Sequence, residues 1–274
     1  MTRWMAILLF ISSVATAQES GKAGYTVTEE RIGGAKGATE VNTVRFVVKD
    51  SAGIPVTTVE KKLPYDVPFP SVGVFGDGTL MMVHAFDGLI EFYRPGRGAA
   101  TSIRPAKDTQ PEHERVMRFV LHESTAVFLV SEPSRLNAWC FLIDGFGKIL
   151  WEQEMPGSMA GELVISPDGG LIGASTYAWE GSRPVSETVF LSSSGNKIAS
   201  TADGFKKGSF SSDGKRFVGF AADGCFVFDV GGKRVLWRDS ARPGKIIIGA
   251  VITGDGISVL QANIPVLKDG SWLY

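Results

Sequence analysis

Short apolar runs alternate with turn residues along most of the chain. Two examples are the segments GELVISPDGGLIGAST and GSFSSDGKRFVGFA, in which an Asp-Gly pair separates two apolar runs. Asp-Gly in this setting indicates a β-hairpin, because glycine tolerates the positive φ that tight hairpins require. No stretch shows a sustained 3.6-residue period with helix caps, so we expect helices to be nearly absent.

The turn signals recur at a nearly constant spacing. Asp168 and Asp213 lie 45 residues apart, and Asp213 and Asp255 lie 42 residues apart. The spacing from Asp77 to Asp168 is 91 residues, and the segment His122-Glu123-Ser124 occupies its midpoint. A repeat of this length is typical of one blade of a β-propeller.

A second signal follows later in each unit. The segments CFLIDGFGKILW (140–151) and CFVFDVGGKRVLW (225–237) match when one residue is inserted. Each predicts a strand, a glycine-bearing turn and another strand, so a complete unit has four short strands in a meander. The sequence therefore predicts an all-β fold, a single β-propeller of five to six four-stranded blades. The assigned blades are about 24–62, 69–104, 114–155, 161–202, 207–240 and 245–274.

The two terminal units decide the number of blades. Unit 24–62 lacks an Asp-Gly hairpin and predicts three strands, and unit 245–274 is short. If both units share one blade the ring has five blades, and if each forms its own blade the ring has six, which we favour. A two-sheet sandwich is the alternative all-β fold. The regular spacing of matching hairpins favours the propeller.

Residues 1–17 have the features of a signal peptide. Arg3 is followed by the apolar run MAILLFISSV (5–14) and by Ala15-Thr16-Ala17, an A-x-A cleavage site before Gln18. Ten apolar residues are too few to span a bilayer, which needs about 20. We expect a propeller domain over residues 18–274 that is periplasmic or secreted and is not inserted in a membrane after signal cleavage. No cysteine follows the run, so no lipid anchor is predicted.

Composition narrows the function classes. The 274 residues include 28 Lys and Arg against 29 Asp and Glu, a net charge of −1. This balance argues against a strongly basic nucleic-acid binder, so no nucleic-acid partner is expected. The hydrophobic fraction of 44% is that of a folded globular chain and excludes a disordered one.

The repeats resemble known propeller families. The segments GKILWEQEMPG (147–157) and GKRVLWRDSARPG (232–244) resemble the G-K-x-x-W repeat of quinoprotein-like propellers. SPDGG (166–170) and SSDGK (211–215) resemble the S-x-D-G turns of WD-repeat-like and translocation-associated periplasmic propellers. The resemblance implies a propeller in the bacterial envelope or outside the cell, and its noncatalytic members act through protein contacts. Quinoprotein dehydrogenases carry an adjacent cysteine pair that this chain lacks, so no cofactor is expected.

Few residues indicate catalytic or metal chemistry. Cys140 and Cys225 occupy the same repeat position two units apart, farther than the ~7 Å between Cα atoms that a disulfide allows, so we predict two buried free thiols. The three histidines show no metal-ligand spacing, and no metal site or catalytic residue is assigned.

The alternative function, a glycan hydrolase or lyase in the central funnel, needs inner-strand carboxylates. Glu162 is the main one.

Long connections are predicted on one face of the propeller. In an up-and-down blade the second turn and the unit-to-unit connections share this face, and they include residues 62–71, 104–114, 131–136 and 177–187. Loops on a rigid scaffold commonly carry binding, and Tyr, Trp and Arg dominate protein interfaces. We therefore expect an exported, noncatalytic propeller that binds a protein or cell-envelope component through this face. The predicted binding residues are Tyr65, Arg104, His113, Arg135, Tyr177, Trp179 and Arg183.

Overall fold

The computed structural model describes residues 24–34, 41–64, 68–85, 87–98, 100–105, 116–132, 137–221, 223–253 and 256–263. Within these ranges the chain forms 21 strands and no helix. Sheet 1 contains β1 (Thr26–Gly34), β2 (Val41–Lys49) and β3 (Pro55–Pro64). Sheet 2 contains β4 (Ser71–Val74), β5 (Leu80–His84), β6 (Leu89–Tyr93) and β7 (Thr101–Ile103). Sheet 3 contains β8 (Val116–His122), β9 (Thr125–Glu132), β10 (Asn137–Asp144) and β11 (Ile149–Met155).

The remaining strands form three further sheets. Sheet 4 contains β12 (Met159–Ile165), β13 (Leu171–Glu180), β14 (Arg183–Ser192) and β15 (Lys197–Thr201). Sheet 5 contains β16 (Lys207–Phe210), β17 (Arg216–Phe220), β18 (Gly224–Asp229) and β19 (Arg234–Ser240). Sheet 6 contains β20 (Lys245–Thr253) and β21 (Gly256–Asn263). In every sheet, strands adjacent in sequence are paired antiparallel, as a meander requires.

Apolar side chains hold each sheet against the next. Because side chains alternate between the two faces of a strand, each inner sheet presents apolar residues to both neighbours. Val44 and Phe46 of sheet 1 pack with Leu80 and Met82 of sheet 2, and comparable clusters join every later pair of consecutive sheets. The first strands of consecutive sheets also contact one another, as β8 contacts β12 and β16 contacts β20.

The cluster between sheets 4 and 5 is rich in phenylalanine. The rings of Phe190 and Phe228 are stacked with centroids 4.7 Å apart, and Phe217 meets Phe190 edge to face at 5.2 Å. All three side chains are at most 1% exposed. Removing such a buried ring typically costs about 3–5 kcal/mol, so this cluster stabilises the contact between the two sheets strongly.

The S-x-D-G turns share one hydrogen-bond pattern. Ser166 Oγ donates to Asp168 Oδ1 at 2.5 Å and accepts from the Leu171 amide at 2.9 Å. Ser211 Oγ donates in the same way to Asp213 Oδ1 at 2.7 Å. The donation from each serine lowers the pKa of both aspartates, because it stabilises the ionised carboxylate. These aspartates act as turn formers, as predicted.

The first and third turns of a sheet lie together. In sheet 3 the Gly145 amide donates to the Ser124 carbonyl at 2.9 Å, and in sheet 4 the Ser193 amide donates to the Gly170 carbonyl at 2.9 Å. We call this side the turn face. The opposite side, which carries the second turns and the sheet-to-sheet connections, is the connection face.

The tryptophans at matching positions of the repeat, Trp151 and Trp237, pack between sheets. Trp151 Nε1 donates to the Ser193 carbonyl at 2.8 Å, and its ring lies beneath Gly195 in the third turn of sheet 4. Trp237 packs against the cluster between sheets 5 and 6. Cys140 and Cys225 are free and buried in different clusters, which confirms the prediction of two separate thiols.

One predicted loop is wrong. Residues 177–187 form the end of a long hairpin, in which β13 and β14 pair up to Glu180 opposite Arg183. Only Gly181 and Ser182 form the turn, and Gly181 has a φ of +65°. Pro184 favours a loop in the sequence, but it fits here because β14 is paired on one side only at this point, where a missing N–H is tolerated.

Candidate functional site

The hairpin of β13 and β14 extends beyond its neighbours on the connection face. β12 pairs with β13 only as far as Tyr177, and β15 pairs with β14 only from Thr188 onward. The two strands nevertheless stay paired with each other through Glu180 and Arg183. We call residues 177–187 the hairpin arm. It presents side chains away from the sheet stack on a regular backbone.

Trp179 is the most prominent apolar side chain of the arm. It pairs across the hairpin with Pro184, and 60% of its surface is exposed. Glu180 and Arg183 are also exposed and form the last pair before the turn. Tryptophan and arginine, both exposed on this arm, are among the residue types enriched at interface hot spots.

Contacts from the sheet 4–sheet 5 connection support the base of the arm. The Tyr177 hydroxyl donates to the Phe205 carbonyl at 3.0 Å, and Lys206 Nζ lies 4.5 Å from the centre of the Tyr177 ring. Thr188 Oγ1 donates to the Asp203 carbonyl at 2.5 Å. The arm is therefore fixed at its base by the segment that leads into sheet 5.

An ion pair links this connection to the outer strand of sheet 5. Arg238 donates from Nε to Asp203 Oδ1 at 2.9 Å and from Nη2 to Asp203 Oδ2 at 2.8 Å. Burial raises the pKa of Asp203, but the hydrogen bonds from Arg238 and Thr201 outweigh it, so the net pKa is lowered. Asp203 is thus held ionised and oriented beside the arm.

A groove lies on each side of the arm. The first has a volume of about 530 Å³ and lies between the arm and sheet 5. The second has a volume of about 590 Å³ and lies between the arm and the connections of sheet 4. Tyr177, Val185, Ser186 and Ala202 line both grooves. An occupant of either groove would therefore contact the arm itself.

The first groove contains charged groups of both signs. Its walls include Lys206 and Arg238 as cations and Asp203, Asp223 and Asp239 as anions. In the described part of the chain, no group of three or more His, Cys, Asp or Glu side chains could hold a metal ion. Burial raises the pKa of the Cys225 thiol in this groove, which disfavours a reactive thiolate. The groove is suited to hydrogen bonding and ion pairing with a ligand.

The structure brings some of the predicted binding residues together. Tyr177, Trp179 and Arg183 lie on the hairpin arm. Arg104 directly follows β7 of sheet 2, and its Nη1 donates to the Asp87 carbonyl at 2.8 Å. The predictions for the remaining binding residues fall outside the described residues. These are Tyr65, His113 and Arg135.

Sequence reasoning missed the charged residues of the first groove, although it included Tyr177. Asp203 and Arg238 are 35 positions apart and meet only because sheets 4 and 5 pack together. One signal was available: Asp203-Gly204 is an Asp-Gly pair outside the repeat spacing. A Cβ at Gly204 would lie 2.6 Å from Ser186 Cβ, so a glycine is needed where this connection passes the arm.

The residues of the first strands are relevant to the alternative function, an enzyme with its active site in the central funnel. In the described first strands of sheets 2 to 6, Glu162 is the one carboxylate and His122 the one histidine. His122 belongs to the turn face, where its Nε2 lies 3.4 Å from the Pro167 carbonyl. The first strands of sheets 2 to 6 therefore bring no pair of carboxylates together, whereas β1 of sheet 1 carries Glu29 and Glu30.

Solved structures with similar folds identify the architecture. The structure described as the Dos1 propeller has a TM-score of 0.56 and 11% identity, and the match covers 82% of this chain and 62% of that chain. BamB from Moraxella catarrhalis has a TM-score of 0.50 and 14% identity, over 84% of this chain and 75% of that chain. The chain is a β-propeller. The resemblance to quinoprotein-like and WD-repeat-like propellers is thereby confirmed at the level of the fold.

A third solved structure extends the comparison to an enzyme. Dihydro-heme d1 dehydrogenase NirN in complex with DHE has a TM-score of 0.50 and 14% identity, over 82% of this chain and 49% of that chain. Identities this low show the propeller fold alone, which hosts unrelated functions.

No family model matches the sequence, and no curated protein matches it significantly. No helix among the described residues is long and apolar enough to cross a membrane.

Proposed function

We propose that this protein is an exported, noncatalytic β-propeller that binds a protein partner of the cell envelope through its connection face. The hairpin arm is the principal contact. The observation that carries the proposal is Trp179, a large apolar side chain that is 60% exposed on a regular, supported hairpin. A monomeric protein gains nothing in stability from such exposure, whereas a partner that covers the ring would remove it from water.

The surroundings of Trp179 also support a protein ligand. A partner segment that covers the ring can enter the grooves on both sides of the arm, where Tyr177 and Ser186 offer apolar surface and hydroxyl groups. The exposed Arg183 adds an ion-pairing group at the tip. This combination of an aromatic anchor with a polar rim is typical of protein interfaces.

Site-specific cross-linking tests the proposed contact. A photo-crosslinking amino acid in place of Trp179 should give a defined adduct with one envelope protein in cells. The same amino acid in place of Leu236, which is 44% exposed on the outer strand of sheet 5, serves as the matched control. In pull-downs, the double variant Trp179→Ala, Arg183→Ala should lose the partner identified in the adduct.

Two results would contradict the proposal. Equal cross-linking from positions 179 and 236 would show that the arm has no special role, and an unchanged partner in the double variant would show that the contact lies elsewhere.

Export is tested separately by N-terminal sequencing of the mature protein. The expected first residue is Gln18, and retention of residues 1–17 in the cytoplasmic fraction would exclude export.

A further inference from the structure

A third groove lies on the turn face, on the opposite side of the molecule from the hairpin arm. It occupies about 410 Å³ around the turn that joins β6 to β7 of sheet 2. Phe92, which is 1% exposed, contributes its inner wall. The third turn of sheet 3 closes the seam between sheets 2 and 3, because Gly147 lies so close to Phe92 that a Cβ would be 2.8 Å from the ring. The described lining residues are Phe92, Arg94, Arg97, Gly98, Ala100 and Thr101.

The described residues that line this groove carry charge of one sign. Arg94 and Arg97 are among them, and none of them is a carboxylate. Among the described residues, no ion pair involves either guanidinium. By contrast, Arg45 and Arg238 are paired with carboxylates. Within the described ranges, the groove therefore carries two positive charges whose side-chain N–H groups donate to no oxygen acceptor.

Phe146 positions one of these guanidinium groups. The Arg94 guanidinium carbon lies 4.2 Å from the centre of the Phe146 ring, and that ring is 66% exposed at the tip of the neighbouring turn. A ring face attracts the cation but does not replace an oxygen acceptor for its N–H groups. Arg94 is thus held in place by the ring, while no described residue accepts a hydrogen bond from its guanidinium.

The turn backbone leaves room beside the two arginines. Gly96 adopts a φ of +70°, which glycine tolerates without a steric cost. A Cβ at Gly96 or at Gly98 would meet nothing within 4 Å, so the space above the turn is open. A small anionic group can therefore approach both side chains and the backbone closely.

We propose that this groove is an oxyanion-binding site, with Arg94 and Arg97 as the ligands for a phosphate or carboxylate group. Guanidinium groups match such oxyanions because their N–H donors pair with two oxygens at once. The site lies on the opposite face from the hairpin arm, so it is independent of the proposed partner contact. It gives the protein a second binding function.

Titration by NMR tests the site with defined probes. Inorganic phosphate and acetate are added separately to the full chain at constant ionic strength set with chloride. Saturable shifts of the Gly96 and Gly98 amides are expected with at least one probe. The double variant Arg94→Gln, Arg97→Gln should bind that probe about tenfold more weakly or not at all. A stronger response to phosphate assigns a phosphorylated ligand, and a comparable response to acetate assigns a carboxylate ligand.

Arg234→Gln is the matched control, since Arg234 is an exposed arginine next to the third turn of sheet 5 and outside the groove. It should bind the probe as the unsubstituted protein does. If Arg234→Gln weakened probe binding as much as the double variant does, the loss would come from general surface charge. That result would overturn the proposal. The absence of saturable shifts with both probes would overturn it as well. Unchanged amide spectra of the variants away from the groove show that they are folded.

Discussion

Glu91 shows how one partly buried side chain joins two sheets. His84 Nε2 and Lys61 Nζ lie 2.8 and 2.9 Å from its two carboxylate oxygens, and Lys61 belongs to sheet 1 whereas Glu91 belongs to sheet 2. The hydrogen bond from His84 is the main cause that lowers the pKa of Glu91 to about 2, Lys61 adds to it, and burial opposes both. The ordinary value is 4.5, so folding favours the ionised carboxylate.

This shift predicts an acid-dependent loss of stability. Because the pKa is lower in the folded state, ionised Glu91 stabilises the fold fully above pH 4.5, and the contribution disappears as pH falls toward 2. Glu91→Gln should lower the free energy of unfolding at pH 7 and flatten its decline between pH 5 and pH 2. Denaturant titrations at several pH values measure both effects.

An exposed ion pair supplies the control for Glu91. Glu187→Gln removes the partner of Lys197, which lies 3.3 Å away on the surface of sheet 4. Such pairs contribute little, so this variant should keep the wild-type pH profile. If Glu91→Gln and Glu187→Gln give the same profile, the network around Glu91 does not determine the acid sensitivity.

At the level of elements, the contact between Trp151 and Gly195 connects two sheets. Gly195 has a φ of +83°, and a Cβ there would lie 2.7 Å from Trp151 Cδ2. Gly195→Ala should therefore lower the free energy of unfolding through both backbone strain and the clash, by about 2–4 kcal/mol. Thermal or denaturant unfolding measures the change.

Gly181→Ala separates the two causes. Gly181 also has a positive φ, +65°, but a Cβ there would meet nothing within 4 Å. This variant should cost only about 1–2 kcal/mol, the price of the left-handed backbone alone. Equal losses in the two variants would mean that the Trp151 contact adds no energy to the turn.

For the whole molecule, the separation of the two thiols predicts how the protein responds to redox reagents. Cys140 and Cys225 are buried in clusters on different pairs of sheets, and burial raises the pKa of both thiols. A thiol reagent should label neither cysteine in the native protein and both after unfolding, because the reactive species is the thiolate. A reducing agent should leave the melting temperature unchanged.

Mass spectrometry of the labelled protein provides the measurement. Rapid native labelling of one thiol would place that cysteine at the surface, and a lower melting temperature after reduction would indicate a disulfide. Either result would contradict the predicted pair of buried free thiols.

Much of the fold could be predicted from local signals. Asp168 and Asp213 mark turns because an aspartate followed by glycine forms a hairpin through contacts within a few residues. The turn at Glu123 was found from its position in the repeat, although a glutamate with a φ of +52° carries no local signature there. The hairpin arm is not predicted, because the strand order assigns residues 177–187 to a long connection, and only the pairing of β13 with β14 shows that the strands continue to Glu180 and Arg183.

The candidate site could be predicted only in part. Tyr177, Trp179 and Arg183 were identified because they are interface residue types in one predicted connection. Asp203 and Arg238 could not be identified in this way, because their contact forms only when sheet 5 packs on sheet 4. Arg94 and Phe146 likewise belong to different sheets and meet across a seam.

The amino-acid sequence by itself determined the all-β class, the repeat and the tight turns, because those features depend on residues that are close along the chain. The tertiary structure decided which side chains share a surface, how far the arm extends and where charged groups remain unpaired. These properties depend on contacts between residues that are tens of positions apart, and only the packing of one sheet on the next brings such residues together.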